Sequence, residues 1–111
     1  MMSSRGRIVW SAAALRDYER IIDFVAERDG VAHSARLHRK LHPAIGKLVR
    51  NPRRCRVVPE LRDVGITVYR ELIVRPYRIP FRIRDRDVVV LAVLDGRRDL
   101  EEILLARLSE P

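Results

Sequence analysis

The chain has 111 residues, a formal net charge of +8 and a pI of about 10.9. This length predicts one domain over residues 1–111, which would bury roughly two-thirds of the surface that the unfolded chain exposes. The positive charge predicts a polyanion or an acidic protein as the partner. The single cysteine, Cys55, excludes an internal disulfide and is typical of a reducing compartment. No apolar run approaches membrane-spanning length, so we expect a cytoplasmic protein that makes no membrane contact.

The apolar pattern predicts eight segments, preceded by residues 1–6, which are expected to be disordered. In chain order these are a strand at 8–10, helices at 12–28 and 31–49, a loop at 53–66, strands at 67–74, 77–84 and 87–94, and a helix at 99–108. Ser11 is the expected N-cap of the first helix, and Pro43 is expected to bend the second near His42 because proline lacks an amide donor. The order β-α-α-β-β-β-α predicts an α+β fold. In it, an antiparallel sheet of about four strands packs against an N-terminal helical hairpin.

The strand at 77–84 has the strongest pattern in the chain. Apolar residues alternate there with Arg78, Pro80, Arg82 and Arg84. A period of two predicts one buried face and, on the other face, a row of guanidinium groups suited to an anion. Pro80 cannot donate to a neighbouring strand, so one side of this strand is expected to be irregular there. The codon bias of a GC-rich genome accounts for scattered arginines, but it accounts less well for four arginines within residues 50–56 without an acid.

The sequence offers little support for metal or acid–base chemistry. His33, His38 and His42 lie on one predicted helix with no third ligand apparent, so no metal and no cofactor are predicted. Each acid that would serve acid–base catalysis is expected to pair with a nearby arginine; these acids are Glu60, Asp63 and Glu71. Arginine binds phosphate well but keeps its proton, so it is a poor proton shuttle.

The stretches YRELIVRPYRIPFRI and DVVVLAVLDGRRD, with the order of elements and the basic charge, resemble the RelE/ParE superfamily of bacterial type II toxins. The resemblance extends from Ile8 to Leu108 and is closer to the ParE (plasmid stabilisation) branch. It implies the toxin half of a toxin–antitoxin pair that inhibits growth.

The superfamily contains two activities, and the resemblance leaves both open. ParE-like members poison DNA gyrase and are not enzymes, whereas RelE-like members are ribosome-dependent mRNA endonucleases. The RelE-type catalytic residues would correspond here to Arg70, Arg78 and Arg98, but Leu72 and about Leu104 stand where RelE-like members have a lysine and a tyrosine.

The segment Leu94–Asp99 keeps most of the ParE-type turn, although Asp95 replaces a histidine. The first hypothesis is therefore a gyrase poison and the second a ribonuclease; the third is an inactive member or an RNA-binding module without cleavage. A simple surface ion pair of Arg98 with Asp99 or Glu102 is the alternative to a functional role for that arginine.

The resemblance also implies partners. A cognate antitoxin, ParD-like or RelB-like with an acidic C-terminal tail, would wrap the toxin, and DNA gyrase or the ribosome with its mRNA would be the target. The residues expected to bind the target or the antitoxin are Arg78, Arg82, Arg84, Arg97 and Arg98.

Overall fold

The structure, a computed structural model, describes residues 6–110. The disorder expected for residues 1–6 therefore lies outside the described residues, except for Gly6. In chain order the elements are β1 (Ile8–Trp10), α1 (Ala12–Asp29), α2 (Val31–Gly46), β2 (Arg56–Val57), α3 (Pro59–Arg62), β3 (Tyr69–Val74), β4 (Tyr77–Arg84), β5 (Asp87–Val90), β6 (Leu94–Asp95) and α4 (Glu101–Leu108). The predicted α+β class is confirmed.

The helices α1 and α2 form the predicted hairpin. Ser11 caps α1 by accepting a hydrogen bond at Oγ from the backbone N–H of Ala14, at 3.0 Å. Gly30 connects the two helices with a φ of 97°, which a residue with a Cβ adopts only with strain. Pro43 lies inside α2, which ends at Gly46, and the predicted end at Val49 belongs to a separate 3₁₀ turn, Lys47–Val49.

The sheet is larger than predicted and is mixed. Its strands lie in the order β1-β5-β4-β3-β2, and β6 pairs with β4. The strands from β2 to β5 pair antiparallel in succession, and β6 pairs antiparallel with β4. Strand β1 instead runs parallel to β5, with Ile8 opposite Val88. The third predicted strand, 87–94, ends at Val90 and resumes as β6, and the predicted loop at 53–66 contains β2 and α3.

The break between β5 and β6 lies beside Pro80. Strand β4 pairs with β5 from Phe81 onward and with β6 at Tyr77 and Arg78, so Ile79 and Pro80 have no ladder partner on that side. The carbonyl of Pro80 accepts a hydrogen bond from the N–H of Leu91, at 2.8 Å. The predicted irregularity is confirmed, and it arises because proline has no N–H to give.

Both faces of the sheet are covered. The helical hairpin packs on one face through a core that includes Tyr18, Leu41, Ile79 and Phe81. On the other face α3 and α4 close a second core, whose buried members are Val58, Leu61, Ala92, Leu94, Leu100 and Leu104. None of the helices within residues 6–110 has both the length and the apolar character needed to cross a membrane.

Candidate functional site

Arg78 lies at the centre of a partly buried ion-pair cluster. It projects from β4 toward α3, where its two terminal nitrogens each donate to Glu60 at 2.6 Å in a bidentate pair. Its Nε donates to Glu71 of β3 at 2.8 Å, and Nε of Arg56 donates to the same carboxylate at 2.6 Å. We call these four residues the Arg78 network. The expected row of exposed guanidinium groups is therefore wrong at Arg78, whose side chain is 12% exposed.

The charges of the Arg78 network balance one another. Glu71 has a fully buried side chain, so its carboxylate depends on Arg78 and Arg56 in place of water. Bonds from Arg78 hold the pKa of Glu60 below its usual value, and the bonds to Glu60 and Glu71 raise the pKa of Arg78. The guanidinium of Arg78 and both carboxylates are thus occupied within the protein, and a phosphate at Arg78 would have to displace a carboxylate.

Gly96 brings the turn within Leu94–Asp99, which we call the basic turn, against Arg78. A Cβ at this position would lie 2.9 Å from Cγ and Cδ of Arg78 and 3.0 Å from the carbonyl oxygen of Pro76. The N–H of Gly96 donates to that same oxygen at 2.7 Å. The absence of a side chain therefore lets the turn after β6 close over the stem of Arg78.

The two arginines of this turn are both exposed but differ in their ion pairing. Arg97 donates from its side chain to Asp95 at 2.6 Å and 3.0 Å, and these bonds and the backbone N–H of Arg97 lower the pKa of Asp95 to about 2. Asp95, where the ParE pattern has histidine, thus orients Arg97. Arg98 is exposed and forms no ion pair with Asp99, Glu102 or any other acid among residues 6–110. The ion-pair alternative for Arg98 is not realised in the structure.

The other arginines proposed for a site are spread over both faces of the sheet. Arg70 lies opposite Phe81, on the face that the helical hairpin covers, and donates to the carbonyl of Cys55 at 2.6 Å. Arg78, Arg82 and Arg84 lie on the other face, where Arg82 is half-buried and Arg84 is exposed. The arginines expected for a ribonuclease are thus not brought together on one surface.

No proton-transfer group lies at the positions that matter for a ribonuclease. Leu72 packs against the hairpin core and Leu104 is fully buried. Burial and the charge of Asp95 raise the pKa of Tyr77, so its phenol keeps its proton. Burial likewise raises the pKa of Cys55 and outweighs the neighbouring arginines, which leaves this thiol protonated.

A shallow depression adjoins the turn, and the charged residues that line it are all arginines. Its volume is about 360 Å³, and it is lined by Arg56, Ile73, Arg75, Pro76, Tyr77, Arg78, Gly96 and Arg97. Ile73 is 41% exposed there, an apolar contact beside exposed cations. Within residues 6–110 no three side chains of His, Cys, Asp or Glu are placed to hold a metal ion. The depression has the charge and the partly apolar character to bind an anionic, partly apolar segment.

The sequence predicts the pairing of the network's acids with arginine but not their burial. Glu60 and Glu71 pair with an arginine, as expected, and Asp63 pairs with Arg62 at 3.4 Å. The burial of Glu71 and the participation of Arg56 were not foreseen. The available signal is the position of Glu71 between Tyr69 and Ile73 on an otherwise apolar face of the strand, which calls for a buried partner.

Comparison with known proteins places these features in a family. Residues 8–100 match the family described as ParE toxin of type II toxin-antitoxin system, parDE. Toxin ParE3 of Caulobacter vibrioides is 30% identical over 95 residues, which are 86% of this chain and 91% of that protein. A solved structure described as a chromosomal ParDE TA system from P. aeruginosa superposes with a TM-score of 0.67 over 82% of this chain and 96% of that chain. At 17% identity it supports the fold alone.

Proposed function

The chain belongs to the ParE toxin family of type II toxin–antitoxin systems, and on this premise we propose that it inhibits growth by poisoning DNA gyrase. The resemblance to the RelE/ParE superfamily, closer to the ParE branch, is thereby confirmed. In this proposal the toxin binds gyrase while DNA is cleaved and prevents resealing. It contributes contacts and performs no chemistry of its own.

The observation that carries the proposal is the state of Arg78. A ribonuclease of RelE type would need this guanidinium free to contact a phosphate, together with an acid or base nearby. Here Glu60 and Glu71 occupy the guanidinium, and leucines stand at positions 72 and 104. Arg70 is on the opposite face of the sheet. A binding function needs none of these groups, so it fits the residues better.

The proposed contact surface is the basic turn with the arginines that remain exposed on β4. Arg97 is 74% exposed, and Arg84 and Arg98 are also exposed. Arg82 is half-buried on the same face as Arg84. We assign contacts with the target or the antitoxin to these four residues and assign Arg78 a structural role beneath the turn.

We also propose neutralisation by a ParD-like antitoxin. The depression beside Ile73 combines one exposed apolar side chain with Arg75 and Arg97, which suits an acidic, amphipathic segment that folds on binding. Such a segment would cover the basic turn and so block access to the target.

A plasmid cleavage assay tests the proposal. Purified chain, DNA gyrase, ATP and supercoiled plasmid are incubated, and linear DNA is quantified after detergent and protease treatment. We expect linear DNA to accumulate and the cognate antitoxin to suppress it. The double variant Arg97→Ala and Arg98→Ala should reduce the yield by at least about tenfold, because exposed arginines at a contact are typical binding hot spots.

The matched control is the double variant Arg16→Ala and Arg20→Ala. These two arginines are exposed on α1, form no ion pair within residues 6–110, and their loss changes the net charge equally. This control should keep full activity. If excess wild-type chain yields no linear DNA while a known poison does, the gyrase proposal is wrong. Cleavage of mRNA on ribosomes would then establish the RelE-type alternative.

A further inference from the structure

The net charge of the protein is concentrated in one segment. Residues 30–59 contain eight basic side chains and no acid, and the fifteen basic residues elsewhere are matched by all fifteen acids of the chain. The eight are Arg36, Arg39, Lys40, Lys47, Arg50, Arg53, Arg54 and Arg56. Only Arg56 pairs with an acid among residues 6–110. Outside this segment the charges compensate each other, so the segment is the source of the long-range positive potential.

Five of these cations line one groove. It runs along the C-terminal part of α2 into two 3₁₀ turns, Lys47–Val49 and Pro52–Arg54, and has a volume of about 600 Å³. The basic side chains that line it are those of Arg39, Lys40, Lys47, Arg50 and Arg54. All five are exposed. We call it the α2 groove. The only two lysines of the chain, Lys40 and Lys47, both line it.

The basic surface continues beyond the α2 groove. Arg50 and Asn51 also line a neighbouring depression of about 770 Å³, which adds Arg53 and Arg86 together with one acid, Asp85. From Arg39 to Gly46 the groove follows a helix, which rises about 1.5 Å per residue. The phosphates of each strand of duplex DNA are repeated about every 3.4 Å along the axis. The basic side chains along this stretch of helix can therefore face several successive phosphates.

We propose that the α2 groove binds the phosphate backbone of duplex DNA without reading its sequence. Guanidinium and ammonium groups are the side chains that neutralise phosphates, and Asn51 adds an amide donor. The inference goes beyond the gyrase proposal and does not depend on it, because the contact is to DNA directly and uses residues remote in sequence from the basic turn.

The groove fits DNA better than an acidic peptide or a single strand. The large apolar side chains exposed on the described surface all lie outside it; they are Leu15, Phe24, Val31, Val64, Val68, Ile73 and Leu105. The apolar lining of the groove that reaches solvent is limited to Pro43 and the half-buried Ala44 and Leu72. An amphipathic peptide would therefore find charge but no large, fully exposed apolar side chain to anchor on. Residues 30–59 contain no Phe, Trp or Tyr, so the stacking platform typical of single-strand binding is missing.

Salt-dependent binding tests the inference. A labelled mixed-sequence duplex is titrated with the purified chain, without gyrase, over a range of salt concentrations. Five phosphate contacts predict a slope of log K against log salt of about −4.5. The double variant Lys40→Ala and Lys47→Ala should reduce its magnitude by about 2 and weaken binding roughly tenfold or more near 0.1 M salt.

The control variant with Arg16→Ala and Arg20→Ala loses the same net charge and should keep the wild-type slope. Equal losses in both double variants would mean that net charge alone attracts DNA, and the groove assignment would be wrong. Tighter binding of a single strand of equal length would overturn the assignment to duplex.

A separate binding assay with the antitoxin tests the competing occupant. If the lysine variant binds duplex normally but loses the antitoxin, the groove holds an acidic protein and the inference fails. The melting temperature of the variant should match that of the wild type, since both lysines are exposed. If the lysine variant does not fold, the double variant Arg50→Gln and Arg54→Gln is used for the same salt titration. The gyrase assay is independent, so failure of one proposal is distinguishable from failure of the other.

Discussion

The Arg78 network and the α2 groove place basic side chains in opposite environments. In the network two arginines meet two carboxylates, and Glu71 is fully buried. In the groove five exposed cations lie together with no acid in the surrounding segment, 30–59. Burial is tolerable only where each charge has a partner, whereas unpaired charges must stay in water. The network therefore stabilises the fold beneath the basic turn, and the groove is left available to a ligand.

The largest effect is expected from Arg78→Met. This change leaves Glu60 and the buried Glu71 without their main partner, so the free energy of unfolding should fall by about 3 kcal/mol, as found when one member of a buried pair is removed. Urea denaturation of the variant beside Arg84→Met measures it, because Arg84 lies on the same strand but is exposed. Arg84→Met should change stability by less than about 0.5 kcal/mol.

A further variant separates unpaired charge from lost packing. Adding Glu60→Leu and Glu71→Leu to Arg78→Met removes the orphaned carboxylates, and much of the lost stability should return. Should Arg78→Met and Arg84→Met prove equally stable, the network would contribute nothing and its contrast with the groove would disappear.

A smaller effect is expected from Gly96→Ala. The new Cβ would meet Cγ and Cδ of Arg78 at 2.9 Å, and Arg78 cannot move away easily because Glu60 and Glu71 hold its guanidinium. We expect a loss of about 1–3 kcal/mol in unfolding free energy, the usual cost of overpacking.

Gly46→Ala is the matched control. Gly46 has a helical φ of −58°, and a Cβ added there would have no neighbouring atom within 4 Å, so the change should stabilise by about 0.5 kcal/mol. Equal thermal denaturation curves for Gly96→Ala and Gly46→Ala would show that close packing of the basic turn against Arg78 does not contribute to stability.

The smallest effect is expected from mild acid. The pKa of Glu60 is lowered by Arg78 from an ordinary value of 4.5, so its contribution to stability is complete above pH 4.5 and is lost as the pH falls through the lower, folded-state pKa. Asp95, with a pKa of about 2, behaves in the same way over a lower range. The wild-type melting temperature should therefore decrease as the pH is lowered below about 4.5.

Glu60→Gln isolates the contribution of Glu60. The variant should start with a lower melting temperature at neutral pH and lose less of it on acidification, because one carboxylate no longer takes up a proton. Parallel pH profiles for the two proteins would mean that the Glu60–Arg78 pair is not linked to stability.

The elements that depend on local pattern were predicted well. Ser11 as N-cap, the helical hairpin, β4 at 77–84 and the irregular side at Pro80 follow from spacing, capping chemistry and a missing N–H, all of which are properties of neighbouring residues. The family could also be inferred from the sequence, because the stretches around Arg78 and the turn at Leu94–Asp99 retain its pattern. The assignment of arginines to partners was less complete, since Glu60 and Glu71 were expected to pair but not to bury Arg78.

The alternation along β4 by itself determined that Arg78, Arg82 and Arg84 share a face, because successive side chains of a strand point to opposite sides. Only the tertiary structure decided what covers that face. Helix α3 brings Glu60 over Arg78, and β3 brings Glu71 beside it. Strand β1 pairs parallel with β5 at the edge of the sheet, although the two strands are far apart in sequence. These are contacts between distant segments, and whether a charge ends buried and paired or exposed and free depends on them rather than on its neighbours in the chain.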